Sequence, residues 1–320
     1  MTTVFTYSYP SIPPDAASLT PFIEPVDANY LATTMSAYSF NPALSRALSM
    51  WANVADVSYQ YGNSAVHHID FAYWNTGGAA TSARGSGTTY GYKIYPNLDD
   101  FNYSYNFLVL FNQKNGAIVT TPTIQNWGVW NIAHEIGHTL VGDGHPSLAT
   151  QDLRYTIMSY PNSRFEGDVL VPNPDVPIPL TLGMDDIASV QRIYGESKAQ
   201  DGDTVYNFSD TQSYFGAIAP KESVMSMWDR AGTEGGIDTI DTIDASGMTT
   251  NVYITLEDGE FSSIGSNINT APTTGGNVNL KGDPDGGTTY NVGIAVGVQI
   301  ENAKGGSGND YCQSASKTFH

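Results

Sequence analysis

The stretch His134-Glu135-Ile136-Gly137-His138 places two imidazoles and a carboxylate inside a run with helical periodicity. Val129, Ala133, Ile136 and Leu140 form the apolar stripe of a helix expected over about residues 126–140. On such a helix His138 lies one turn from His134 and about 40° round, so both rings reach one ion. Glu135 is about 100° round from His134, close enough to face a water on that ion. Neutral imidazoles hold zinc with an open coordination position, and the carboxylate takes a proton from the bound water. The bland alternative is a chance pentapeptide on a surface helix. Against it, three of the six histidines fall within residues 134–145 of an otherwise histidine-poor chain. His67 and His68 open a strand and read as solvent-exposed rather than ligating, and His320 reads as an inert terminal residue.

The flanking sequence predicts a mixed architecture. Asn41-Pro42 reads as an N-cap followed by proline at the first helical position, ahead of the stripe Leu44, Ala47, Leu48, Trp51, Ala52 and Ala55. The first 40 residues read as strand and loop. Strands are expected at 68–73 and 107–111, with loops and an edge strand between them. A third helix begins near Asp185 and Asp186, buries Ile187, Val190 and Tyr194 on one face, and stops at Gly195. Beyond it, short β-prone runs alternate with Gly, Asp and Asn clusters, so a boundary is expected near residue 197.

Composition narrows the partners. A formal net charge of −19 disfavours nucleic acid and anionic membrane surfaces. No run of 18 apolar residues occurs, so a helical membrane span is not expected. The single cysteine, Cys312, excludes an intramolecular disulfide. Met1 to Phe5 lacks the basic start and apolar core of an ordinary secretory signal. Bound calcium is a natural source of stability for an acidic, Gly-rich chain without disulfides.

Tyr155-Thr156-Ile157-Met158-Ser159-Tyr160, whose Met158 lies thirteen residues beyond His145, has the form of a Met-turn, which places a methionine as an apolar floor beneath a metal. The run from His134 to Leu140, the Met-turn, residues 181–194 and Gly202-Asp203-Thr204-Val205-Tyr206 together resemble the serralysin family, secreted bacterial metzincins with a C-terminal calcium-binding β-roll. The resemblance implies an α+β fold: a metzincin-type zinc protease domain over 1–197, with a twisted mixed sheet and an active-site helix. An all-β, partial β-roll or sandwich domain follows over 198–320. It implies His134, His138 and His145 as zinc ligands, Glu135 as base, Met158 as the floor, and Tyr160 capping zinc and hydrogen-bonding the oxyanion. It implies calcium at Asp229, Gly236, Asp238 and Glu301, weighed equally against ordinary Gly/Asp turns.

Two departures stand out. The family places its third histidine six residues after the second, with glycine three after the second. Here His145 is seven after His138, and Val141 holds the glycine position. Val141 can extend the helix by one position, and Gly142 or Gly144 can then take the left-handed conformation that ends it. Asp143 is the alternative ligand in that loop, and Glu166 is the candidate for a zincin with a downstream glutamate, although it falls in an irregular stretch. The calcium repeats are represented only by Gly305-Gly306-Ser307-Gly308-Asn309-Asp310 before an unrelated tail, which suggests truncation.

The expected function is zinc-dependent hydrolysis of internal peptide bonds in protein substrates, by a secreted monomer using zinc and calcium and open to a proteinaceous inhibitor. The rival is a calcium-dependent binding or adhesion module derived from a metalloprotease, with weak or no activity.

Overall fold

A computed structural model describes residues 2–9, 31–33, 37–62, 67–75, 87–94, 104–112, 117–142, 153–159, 164–166, 169–171, 177–198, 202–210, 223–230, 233–234, 237–238, 240–265 and 290–315. The chain forms two compact units. The first comprises Met1–Ala52, Asp56–Gly144 and Ser163–Pro172; the second comprises Asn53–Ala55, His145–Asn162 and Asn173–His320.

The first unit is built on a mixed sheet. Its elements are β1 (Thr3–Ser8), β2 (Leu31–Thr33), α1 (Ala37–Ala52), β3 (Val57–Tyr61), β4 (His67–Asn75), β5 (Gly87–Ile94), β6 (Ser104–Asn112), α2 (Ala117–Thr120) and α3 (Gly128–Val141). The strand order is β3-β1-β4-β6-β5, with β2 also paired to β4. The first four strands run parallel, and β5 closes the sheet as the antiparallel edge expected between the two central strands. Side chains alternate across a strand, so Phe5, Ile69, Phe71, Tyr73, Val109 and Phe111 are all buried on one face.

The opposite face of β1 and β4 corrects one expectation. His68 is buried, not exposed. Its Nδ1 lies 2.8 Å from Thr6 Oγ1 and its Nε2 3.0 Å from Asp70 Oδ1. The ring nitrogens meet Thr6 and Ser8 on β1 and Asp70 on β4, and these partners make its burial tolerable.

Helix α1 also starts earlier than Asn41-Pro42 suggests, with Pro42 inside it. Proline forfeits one main-chain bond and crowds the preceding turn. The helix nonetheless extends back to Ala37. Leu44, Ala47, Leu48 and Trp51 are buried as predicted and pack on α3, whereas Ala55 lies past the helix, bridged to Glu196 within the second unit. Glu166 is part of a hairpin, β7 (Arg164–Glu166) with β8 (Val169–Val171), rather than an irregular stretch.

The second unit holds β9 (Ile178–Pro179), α4 (Met184–Tyr194) and then strands only, among the described residues. They are β10 (Val205–Ser209), β11 (Ser223–Met227), β12 (Thr233–Glu234), β13 (Ile237–Asp238), β14 (Thr242–Gly247), β15 (Tyr253–Thr255), β16 (Phe261–Ser262), β17 (Val292–Ile294), β18 (Asn302–Lys304) and β19 (Tyr311–Gln313). Most pairings are parallel: β10-β14-β18, β15-β19, β11-β17 and β11-β9. Ile243, Ala245, Ile254, Ile264, Ile294 and Ala295 form the dry interior. Gly195 ends α4 at φ 83°, its N–H donating to Gln191 O at 2.7 Å. In the 305–310 segment, Asp310 Oδ1 accepts from Val252 N–H at 3.0 Å and Asn251 Oδ1 accepts from Asn309 N–H at 2.7 Å.

Candidate active site and metal centres

Helix α3 is a core helix. Every residue from Gly128 to Gly137 is buried, His134 and Glu135 included, and His138 is half-buried. A polar device starts it. Asn126 Oδ1 accepts from Thr123 N–H at 2.8 Å and Gly128 N–H at 3.0 Å, while Trp127 takes positive φ at 65°. This satisfies a main-chain donor at the helix start that has no intrahelical partner. Val141 is the last helical residue, and Gly142, one of the two glycines able to end the helix, does so at φ 98°.

The ring centroids of His134 and His138 are 4.9 Å apart, with the rings nearly perpendicular. Trp130, one turn earlier, packs its ring 5.1 Å from His134. His138 Nδ1 is 3.0 Å from the Gly142 carbonyl. A carbonyl only accepts, so Nδ1 carries the proton and the Nε2 lone pair is the one available to a metal. Holding one imidazole nitrogen in this way fixes tautomer and orientation, the usual support of a metal-ligating histidine. These residues therefore fit a zinc ion by donor chemistry and by the tautomer that Gly142 selects.

In the second unit, residues 153–159 form a turn in which Thr156, Ile157, Met158 and Ser159 are buried. The carboxylate of Asp186, from the first turn of α4, is turned inward to this turn. Its Oδ1 accepts from Thr156 Oγ1 at 2.6 Å, and its Oδ2 from Ile157 N–H at 2.7 Å and Gly183 N–H at 2.9 Å. Burial pushes the carboxyl up to about 7, against these donors, which favour the ionised form.

A second group of acids gathers in the same unit. Asp229 is buried, and its Oδ1 has no hydrogen-bond partner. Its Oδ2 accepts from the Tyr206 hydroxyl at 3.2 Å. Asp241 Oδ1 accepts from Thr204 N–H at 2.8 Å, and Glu301 Oε2 accepts from Asp241 N–H at 2.7 Å. Burial, joined by the charges of Asp229, Glu301 and Asp203, pushes the Asp241 carboxyl up to about 6 against the Thr204 bond. Burial and the same Asp229 and Asp241 charges raise the Tyr206 phenol. A buried carboxylate oxygen without a partner is costly. Among oxygen donors of one sign, it fits a hard divalent cation such as calcium.

The structure thus brings together His134, Glu135 and His138 on α3, and in the second unit Asp229 and Glu301 both act on Asp241. The backbone of Asp238 lies on β13, paired with Thr233 across a hairpin. His145, Tyr160, Gly236 and Asp143 lie outside the described residues. Among the described residues no three of His, Cys, Asp or Glu converge closely enough to hold a metal unaided. Sequence reasoning missed Asp241, Tyr206 and the inward turn of Asp186. Only the last had a usable signal, since Gly183 and Asp186 stand at the spacing of the N-cap and third helical residue of a capping box.

Comparison with known proteins converges on one family. Residues 196–280 match the family described as peptidase M10 serralysin C terminal. The chain is 31% identical over 283 residues to metalloprotease AprA of Pseudomonas entomophila (strain L48), covering 82% of this chain and 50% of that protein. It is 31% identical over 293 residues to metallopeptidase AprA of Pseudomonas marginalis, covering 82% and 51%. It is also 31% identical over 289 residues to serralysin B of Dickeya chrysanthemi, again covering 82% and 51%. The chain spans about half the length of the curated relatives it matches.

Proposed function

The chain belongs to the serralysin family, and from that premise we propose that it is a zinc-dependent endopeptidase cleaving internal bonds of protein substrates. The observation that carries the reading is the buried helix α3 with His134, Glu135 and His138 on it and His138 Nδ1 tied to Gly142. A surface helix with a chance motif would have neither feature.

In this reading His134 and His138 hold the ion, and His145 is the third ligand, because a neutral imidazole suits zinc better than the Asp143 carboxylate does. Zinc held there supplies Lewis acidity toward a carbonyl and toward water. Glu135 takes the proton of the attacking water on its carboxylate and delivers it to the departing amine. The Tyr160 hydroxyl donates to the developing oxyanion, and Met158 provides the apolar floor. Residues 1–197 serve catalysis, and residues 198–320 form a calcium-binding, β-roll-like part with Asp229, Gly236, Asp238 and Glu301 as ligands. The fit of Asp229 supports that assignment, since its Oδ1 is the buried acceptor a cation would satisfy. The relatives' names, metalloprotease and serralysin, support action on proteins, and the same reading has the chain act outside the cell as a monomer.

Digestion of casein by zinc-loaded protein, with and without a chelator, tests the reading. Zinc-dependent cleavage that Glu135→Gln abolishes is the expected result. Full zinc occupancy with no cleavage would overturn it in favour of a binding module.

A further inference from the structure

The turn at residues 153–159 is tied at its centre to Asp186 through Thr156 and Ile157, while Tyr155 packs on Phe261. Besides the three hydrogen bonds to Asp186, Met158 N–H donates to Thr156 Oγ1 at 3.0 Å, so a continuous path runs from carboxylate to hydroxyl to the Met158 backbone. Asp185 N–H donates to Tyr155 O at 2.8 Å, which ties the same helical turn to the residue before. Gly183 leaves no slack, because a Cβ there would lie 2.2 Å from both the carbonyl carbon and oxygen of Tyr155.

A capping role alone would use one oxygen of Asp186, on the Gly183 N–H. Here both oxygens are used, and two of the three donors belong to a segment about thirty residues earlier in the chain. The carboxyl is almost wholly buried to do this, at 2% exposure. We propose that Asp186 is a positioning residue, whose carboxylate sets the backbone of Thr156, Ile157 and Met158 and so the aim of the Met158 side chain. Its consequence for catalysis rests on the proposed protease function. The placement of the turn does not.

The ionised form suits this task. Oδ2 already receives two N–H groups, so a proton would have to sit on Oδ1 and reverse the Thr156 hydroxyl. That hydroxyl oxygen would then accept twice while its own hydrogen pointed away from the carboxyl. An asparagine meets the same conflict in milder form, accepting at one oxygen and presenting an N–H₂ to Thr156.

The test uses the full chain with Thr156→Val, Asp186→Asn and Asp186→Ala. Amide hydrogen exchange is read at 153–159, in α3 and in β14, alongside zinc content, kcat and KM. Thr156→Val should speed exchange at Ile157 and Met158 about ten-fold or more, with α3 and β14 unchanged. Asp186→Ala should do more, with Asp186→Asn between it and the native chain. Zinc content should stay constant, and kcat should fall about ten-fold with KM within about three-fold. Unchanged exchange at 156–158 in Thr156→Val and Asp186→Asn overturns the proposal, even if Asp186→Ala fails to fold. Changed exchange with native kcat also overturns its catalytic consequence. A native chain without proteolysis defeats the protease reading alone, and the exchange measurement still decides the role of Asp186.

Discussion

The indole N–H of Trp51 donates to the carbonyl of Ala133 at 3.0 Å, joining α1 to the residue immediately before His134. A carbonyl within a helix is already accepting from four residues on, so this bond uses its second lone pair. It fixes the rotation of α3 about its axis at the point where the histidine must be aimed. Trp51→Phe removes the bond and part of a fully buried side chain, and should cost about 1–3 kcal/mol of stability in denaturant unfolding. Zinc should also escape to a chelator faster. Unchanged stability and zinc loss would mean that α3 is aimed by other contacts.

Glu135 and His134 should separate chemistry from binding. Glu135→Gln keeps the shape but cannot accept a proton, so proteolysis should fall by about three orders of magnitude or more. Roughly one zinc per chain should remain, by metal analysis. His134→Ala should lose both. Substantial cleavage by purified Glu135→Gln protein would refute the assignment of the base.

The acidic group around Asp229 predicts a pH dependence with a definite sign. The folded carboxyl of Asp241 is raised from 3.8 to about 6, so the folded state binds its proton more tightly than the unfolded state does. In the absence of calcium, its contribution to stability is full below about pH 4 and is lost as pH rises through about 6. Calcium competes with that proton. The rise in Tm caused by calcium should therefore be smaller at pH 5 than at pH 7.5. Asp229→Asn should shrink this rise while making the calcium-free protein more stable, because it removes a negative charge from the group. Equal calcium effects at both pH values, unaltered by Asp229→Asn, would count against a site there.

Gly183→Ala should be among the more damaging single methyl additions. The new Cβ would meet the Tyr155 backbone at 2.2 Å, so backbone rather than a flexible side chain must move. A loss of about 1–3 kcal/mol is expected from overpacking. Gly142→Ala meets open space but a φ of 98°, so it should cost about 1 kcal/mol and loosen the carbonyl that orients His138. Melting curves, with zinc affinity for the second variant, would check both.

Local periodicity made the helices legible. Val129, Ala133, Ile136 and Leu140 lie on one stripe because α3 has an inner face, and all four are buried. The same pattern could not reveal that the other faces are buried too, because Trp130, Asn131, His134 and Glu135 read as a polar-aromatic surface. His68 was misread for a related reason. Its partner Thr6 reaches it only through the parallel pairing of β1 with β4, a register that no short window contains, whereas Asp70 stands two residues along the same strand. In the sequence Asp186 marks only the start of a helix. Its real partners lie about thirty residues away, beyond the reach of local pattern.

The parallel strand pairs of the second unit bear on how the molecule reaches its fold. Val205 on β10 pairs with Thr242 on β14, and Thr242 with Asn302 on β18. Each such pairing closes a long loop and meets the entropy of closure before any contact compensates it. Non-local sheets of this kind belong to the slower class of folders, completing in milliseconds to seconds or longer rather than microseconds. Helices α1 and α3, by contrast, are set by contacts within single segments and can form early. The order of events during refolding should therefore be helix first and parallel rungs last, and an ion that binds Asp229 and Glu301 should act on the final step.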